Sequence, residues 1–227
     1  MKRILALALS LLMIVTGLTA CNNEPKEEAT TKAPVETTTE KKAEEVKMDG
    51  IQHILFFESN LSKLEAKDGA YALKDFIKEN FKIKEPAGTV TICAIDGYKT
   101  EADVKDIINL SISTEGEDAP TFVGDLPSKK LAVRNMLYIQ FENEVIYFAN
   151  TDYTFDKVVE NLGLDETKTF TFKASDGFEY DAADAEDLKK AEVKSPKTTG
   201  ESVNVHFYSM PKPGGADLRD CVSVTIK

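Results

Sequence analysis

Histidine occurs twice in these 227 residues and cysteine three times. His53 and His206 stand far apart and no Cys-x-x-Cys pair is present, so a zinc site has no support. Basic residues are few, 28 against 39 acidic, for a formal charge of −11. A chain this acidic is repelled by nucleic acid and by anionic headgroups, which argues against nucleic acid as a partner. After the first twenty residues no apolar run approaches the length of a membrane span. No nucleophile stands beside a base in a recognisable catalytic arrangement.

What is present begins at the N-terminus. Lys2 and Arg3 precede an apolar run, Ile4 to Val15, broken only by Ser10, and Leu18-Thr19-Ala20-Cys21 closes it. A run this short with these ends reads as a cleaved export signal, residues 1–20. The ending resembles the lipobox of bacterial lipoproteins. The resemblance implies that Cys21 carries a diacylglyceryl group as the mature N-terminus, lipid-anchored in the bacterial cell membrane and facing outside the cytoplasm. An ordinary secretory signal and a membrane anchor are the alternatives. Two acyl chains supply stable attachment, at about 0.8 kcal/mol per buried methylene. Loss of Lys2 and Arg3 leaves 26 basic residues against 39 acidic, a net charge of −13.

Residues 21–48 read as a stalk. Positions 22–47 hold seven glutamates, five lysines, five threonines and two prolines, with Val35 and Val46 as the only branched aliphatics. Too little apolar surface is available there to offset ordering entropy. As a flexible coil the segment reaches about 25–30 Å. The remaining 180 or so residues suffice for one sizeable domain or two small ones.

An internal echo favours two. Thr89-Val-Thr-Ile-Cys-Ala-Ile-Asp-Gly97 returns as Thr169-Phe-Thr-Phe-Lys-Ala-Ser-Asp-Gly177, followed by Tyr98 and Phe178. Each copy opens with an apolar run, His53–Phe57 or Val145–Phe148, that reads as a buried strand. Helices are expected over Tyr71–Phe81 and Phe155–Leu162, with an insertion at about 58–70 in the first copy. The strand at 89–95 alternates, with Val90, Ile92 and Ala94 on one face, and Phe170, Phe172 and Ala174 repeat the pattern. Thr100-Glu101-Ala102-Asp103 has the spacing of a capping box for a second helix. Each copy closes on a proline-containing loop, a recurring arginine and a final strand. The expected fold is α+β: two tandem small β-rich modules with short helices, residues 49–146 and 147–227, arisen by duplication.

Six residues recur at matched places and are candidate ligand contacts: Asp96, Tyr98 and Arg134 in the first module, and Asp176, Phe178 and Arg219 in the second. An Asp-Gly-aromatic turn serves either as a ligand platform or as a plain turn whose aromatic joins the core. The arginines bind an anion or pair with the acidic helix starts. Asp176, Glu179, Asp181 and Asp184 lack the alternating ligands and central glycine of a calcium loop, and read as helix N-terminal acids. Pro211-Lys-Pro-Gly-Gly215 reads as a turn, since a phosphate loop requires a following Lys-Ser/Thr. His206 reads as a structural strand residue. Cys93 and Cys221 are free thiols or a bridge.

Thr154-Phe-Asp-Lys-Val158, the strand ending Ser175-Asp-Gly-Phe178, and Val222-Ser-Val-Thr-Ile226 together resemble small domains related to the molybdopterin-binding fold of sulfite oxidase-type oxidoreductases. Ile95-Asp-Gly-Tyr98 and Val133–Ile139 repeat the resemblance in the first copy. It implies a β-rich fold with small helices, and, were the activity to follow, Cys93 as the molybdenum ligand. The second copy has Lys173 at that place and no cradle histidine is evident. Lys2-Arg3 is also not the twin arginine used to export cofactor-loaded enzymes.

The expected function is therefore a non-catalytic, membrane-anchored module, without a resident cofactor, that binds a small molecule or an envelope protein. An oxidoreductase and a purely structural envelope protein are the alternatives.

Overall fold

Two apolar runs share the centre of one sheet, and their residues are buried whichever way they point. The computed structural model describes residues 50–198 and 200–227, so the signal, Cys21 and the stalk lie outside the described residues. The first half runs β1 (His53–Phe56), β2 (Ala70–Ala72), α1 (Leu73–Asn80), β3 (Thr89–Ala94), β4 (Lys99–Asp103), α2 (Val104–Ile107), β5 (Ser111–Ser113), β6 (Thr121–Val123) and β7 (Met136–Gln140). The second runs β8 (Glu144–Tyr147), β9 (Tyr153–Thr154), α3 (Phe155–Leu162), β10 (Phe170–Ala174), β11 (Glu179–Asp181), α4 (Ala185–Lys190), β12 (Glu192–Lys194), β13 (Asn204–Phe207), β14 (Ala216–Leu218) and β15 (Cys221–Ile226). Strands dominate and the helices are short, an α+β chain.

Eight strands form the main sheet in the order β11-β10-β15-β1-β8-β7-β3-β4. β1 and β8 are its parallel centre, with Ile54 opposite Val145 and Phe56 opposite Tyr147. β1 also pairs antiparallel with β15, while β8 pairs antiparallel with β7. The opening strand of each half thus lies beside its counterpart, and β1 joins the last strand of the second half. The expected boundary at residue 146 falls inside β8.

A layer covers each face. Ile54, Phe56, Val145 and Tyr147 face a core built with Phe155 and Leu162 of α3, Leu188 of α4 and Phe207 of β13. Leu55, Phe57, Ile146 and Phe148 face the opposite core, with Phe76 and Ile77 of α1, Ile107 of α2 and Ile112 of β5. Burial on both faces explains why these strands are continuous apolar runs. Farther out the alternation holds: Val90 and Ile92 of β3 enter one core, Phe170 and Phe172 of β10 the other.

The two halves also agree in detail. A small sheet β2-β5-β6 accompanies α1, and β9-β12-β13 with β14 accompanies α3. The Leu73 amide donates to the Leu110 carbonyl at 3.0 Å, and Phe155 to Ala191 at 2.8 Å. Asp103 and Asp184 cap α2 and α4, accepting from Lys105 N and Asp187 N.

Local expectations need two corrections. The first helix starts at Leu73 rather than Tyr71, because Ala70–Ala72 pairs with β5. Thr100 does not cap a helix: it lies in β4 opposite Ile92, and the ladder with β3 holds residues 99–103 extended until Asp103 takes over the cap.

Candidate functional site

Strand direction gathers the sequence candidates at one end of the sheet. β3 and β10 each run parallel to the central pair, being antiparallel to β7 and β15. The C-terminal ends of β1, β8, β3 and β10 therefore share an edge with the starts of β7 and β15. Both Asp-Gly-aromatic turns and both arginines belong to that edge, one set on each flank. Five strand spacings of about 4.8 Å separate β10 from β3, a span of about 24 Å.

Between the flanks, beyond β1 and β8, lies a cleft of about 280 Å³. Both halves line it: Thr114, Gly116, Ala119 and Pro120 come from the β5–β6 loop, and Pro196, Lys197, Thr198, Gly200 and Glu201 from the equivalent β12–β13 loop. Ala149 and Asn150 follow β8; Glu58 and Leu61 follow β1. Ligands of sheets with parallel strands commonly bind beyond the carboxyl ends of those strands, where loops diverge and backbone groups stay unpaired.

Glu58 lines this cleft, half-buried. It is the second residue past β1, after Phe57, and opens the short 3-10 turn Glu58–Asn60, the start of the insertion. The next residues fasten that turn to the second half. Asn60 Nδ2 donates to the Phe56 and Val222 carbonyls at 2.7 and 2.8 Å, and Ser59 Oγ accepts from Val203 N at 2.8 Å. Glu58 reaches across to the segment after β8, where its two carboxylate oxygens lie 3.1 and 3.2 Å from the Ala149 amide. Burial pushes its carboxyl up to about 7, although its own amide and that of Ala149 favour the charged form. Between about pH 4.5 and 7 the folded chain holds a proton there that an unfolded chain has released, so this group favours unfolding as pH rises through that window. Behind it the buried Tyr153 hydroxyl has no hydrogen-bond partner among the described residues, and burial holds its pKa far above the ordinary tyrosine value.

The flanking candidates divide by chemistry. Asp96 and Asp176 accept the amides of Tyr98 and Phe178, each at 2.9 Å, so both carboxylates are occupied in shaping their turns. Gly97 and Gly177 take φ of +87° and +91°, the left-handed backbone those turns require. The aromatics are not core residues: Tyr98 is 48% and Phe178 56% exposed. The turn closes within two residues and leaves the side chain beyond the last core layer. Tyr98→Ala and Phe178→Ala are each expected to change stability by less than about 0.5 kcal/mol, measured by thermal unfolding. A loss several times larger would return them to the core.

Arg134 pairs with Asp118 of the β5–β6 loop, 3.4 Å away, and not with a helix start. Arg219 has no carboxylate partner among the described residues; with Asp176, Phe178 and Lys212 it lines a shallow hollow of about 480 Å³. The structure thus unites Asp176, Phe178 and Arg219 around one hollow, about 24 Å across the sheet edge from the Asp96 and Tyr98 turn. The acidic cluster dissolves into local pairs: Glu179 with Lys173 at 3.1 Å, Asp181 with the Thr171 hydroxyl at 2.6 Å, and Asp184 as a helix cap. His206 is held by Asp217 at 2.8 Å and the Gly214 carbonyl at 3.0 Å.

The cysteines are free thiols and both are buried. Cys93 points away from Val90 and Ile92 into the core on the other face, where burial pushes its thiol up beside Tyr138. A molybdenum ligand must stand at the wall of a polar, open cradle. Cys93 is 3% exposed within an apolar core, so the residues present do not fit that group. No group of three or more His, Cys, Asp or Glu side chains suited to a metal occurs among the described residues.

Glu58 itself escaped sequence reasoning, having no motif; the one signal was that the 58–70 insertion is specific to the first half. No protein family, curated protein or solved structure matches this chain.

Proposed function

We propose that this chain is a lipid-anchored, extracytoplasmic binding protein whose cleft at the carboxyl ends of β1 and β8 seats a small polar molecule. The observation that carries the reading is Glu58, a half-buried carboxyl that lines a cleft to which both halves contribute. The lipobox-like ending at Cys21 supports the anchor, and the polar segment after it supports a tether that holds the domain off the membrane. A binding role also suits the cleft's chemistry: carboxyl, amide, hydroxyl and backbone groups.

The matched succession of elements supports descent from one duplicated module, with bounds near 49–146 and 147–227. In that reading the two opening strands became neighbours, and their diverging loops made the cleft. The insertion after β1 then supplied an acid that the second half does not repeat.

Thr114→Trp tests the site by filling the cleft from the β5–β6 loop. Full-length protein is screened by thermal shift against small polar molecules, since any ligand of the folded state raises its melting temperature. Compounds that stabilise the parent protein are expected to lose their effect in Thr114→Trp and to keep it in Tyr98→Ala and Phe178→Ala. The reverse pattern would move the site to the flanking turns.

A further inference from the structure

A carboxylate has room for about four hydrogen bonds, and the half-buried Glu58 divides its own among the protein, solvent and what binds it. Glu58 receives the Ala149 amide and its own. Among the described residues no lysine, arginine or histidine nitrogen lies within 4.0 Å of it. The residue lines the cleft. Other charged or titratable groups on the elements around it are few. Tyr153 of β9 stands behind, and Lys197 and Glu201 stand on the β12–β13 loop. The segment after β8 contributes the Ala149 amide and the neutral Asn150. Lys197 is exposed on the rim, and its backbone amide is engaged by Glu201 at 2.9 Å.

We infer that the ligand of this cleft carries a protonated amine, which donates to Glu58 and completes the ion pair that the chain leaves unmade. The inference rests on the binding reading above and names the chemical class of its ligand. An ammonium is the compact donor that fits: it brings three N–H groups to a carboxylate already fixed from one side by backbone. A neutral hydroxyl supplies one donor and leaves the desolvated charge uncompensated. The raised carboxyl follows from the same geometry, and makes binding depend on pH near neutrality. Amine binding needs Glu58 ionised, so affinity falls about tenfold for each pH unit below 7 and levels off above it.

The test compares isosteric pairs on the full-length, 15N-labelled protein: propylamine against propanol, and ethanolamine against ethylene glycol. The Ala149 amide, bound to Glu58, reports the carboxylate; Gly116 and Gly200 report occupancy of the cleft. The amines are expected to move all three resonances at pH 8, to bind at least tenfold tighter than the alcohols, and to weaken at pH 6. Glu58→Gln keeps an oxygen for the Ala149 amide and so preserves the fold. It should weaken the amines about 10- to 100-fold, the range for a hydrogen bond to a charged group. Lys197→Gln should leave amine binding intact or tighter, because it removes a competing ammonium. If alcohols bind as tightly as amines, in parent and Glu58→Gln alike, the cleft stands and the amine is overturned. If no member moves Gly116 or Gly200 at any pH, both readings fall.

Discussion

Phe56→Ala and Phe57→Ala are each expected to cost about 3–5 kcal/mol, although the two side chains are neighbours pointing in opposite directions. Phe56 enters the core with Val145, Phe172 and Val224, and Phe57 enters the other. There Phe57 stacks on Phe76 at 4.9 Å between centroids and meets Phe148 at 5.0 Å. Both residues are fully buried. A strand with one solvated face would lose that much at only one of two adjacent positions. Each substitution removes a large apolar side chain and leaves a cavity that its close-packed neighbours fill only in part. For a domain of this size the melting temperature should fall by about 6–20 °C in each variant. Denaturant unfolding of both variants provides the check. A cost below about 1 kcal/mol for either would mean that its face of the sheet is open.

The second large effect is expected at Gly215, and its neighbour supplies the control. A Cβ at Gly215 would lie 2.2 Å from the Phe207 carbonyl oxygen and 2.8 Å from Tyr208 Cα, at a φ of +87°. Those atoms are backbone, so no side chain can swing aside. Relief requires parting β13 from β14, where Phe207 pairs with Ala216. Gly214 has a similar φ of +81°, yet a Cβ there meets nothing within 4 Å. Gly214→Ala therefore costs only the left-handed conformation, about 1–2 kcal/mol. Gly215→Ala adds a clash with rigid backbone, for about 2–5 kcal/mol. Equal losses in the two variants would show that β13 and β14 are not in that close approach. The glycine-rich turn thus serves chain packing, because the hairpin passes too near itself to admit a side chain.

Much of the architecture was legible from pattern. The apolar runs at His53–Phe57 and Val145–Phe148, the alternation along Val90-Thr91-Ile92, and the amphipathic segment Phe155–Leu162 each appear where expected. They did so because period and burial are coupled locally. The capping box failed for a nonlocal reason. Thr100 was drawn into a ladder with Ile92, and cross-strand pairing outweighed a cap worth about 1 kcal/mol. Alternation places Cys93 opposite Val90 and Ile92, where it stands, but it does not show that the second side of the sheet is another core.

For the candidate site the division is sharper. Tyr98, Phe178, Arg134 and Arg219 stood out through repetition, yet repetition reports a shared scaffold and is blind to what one half alone carries. Glu58 has no partner copy and no motif. Its carboxyl becomes distinctive only where β1 ends beside β8, next to an amide 91 positions away in sequence. The sequence by itself determined the strand and helix periods, the acidic character and the echo between halves, because composition and spacing are properties of the chain. Tertiary structure alone decided that the two opening strands lie parallel at the centre, that both their faces are buried, and that the carboxyl past the first of them is half-buried against the Ala149 amide. Those outcomes depend on which distant segments meet, and desolvation is a property of the meeting.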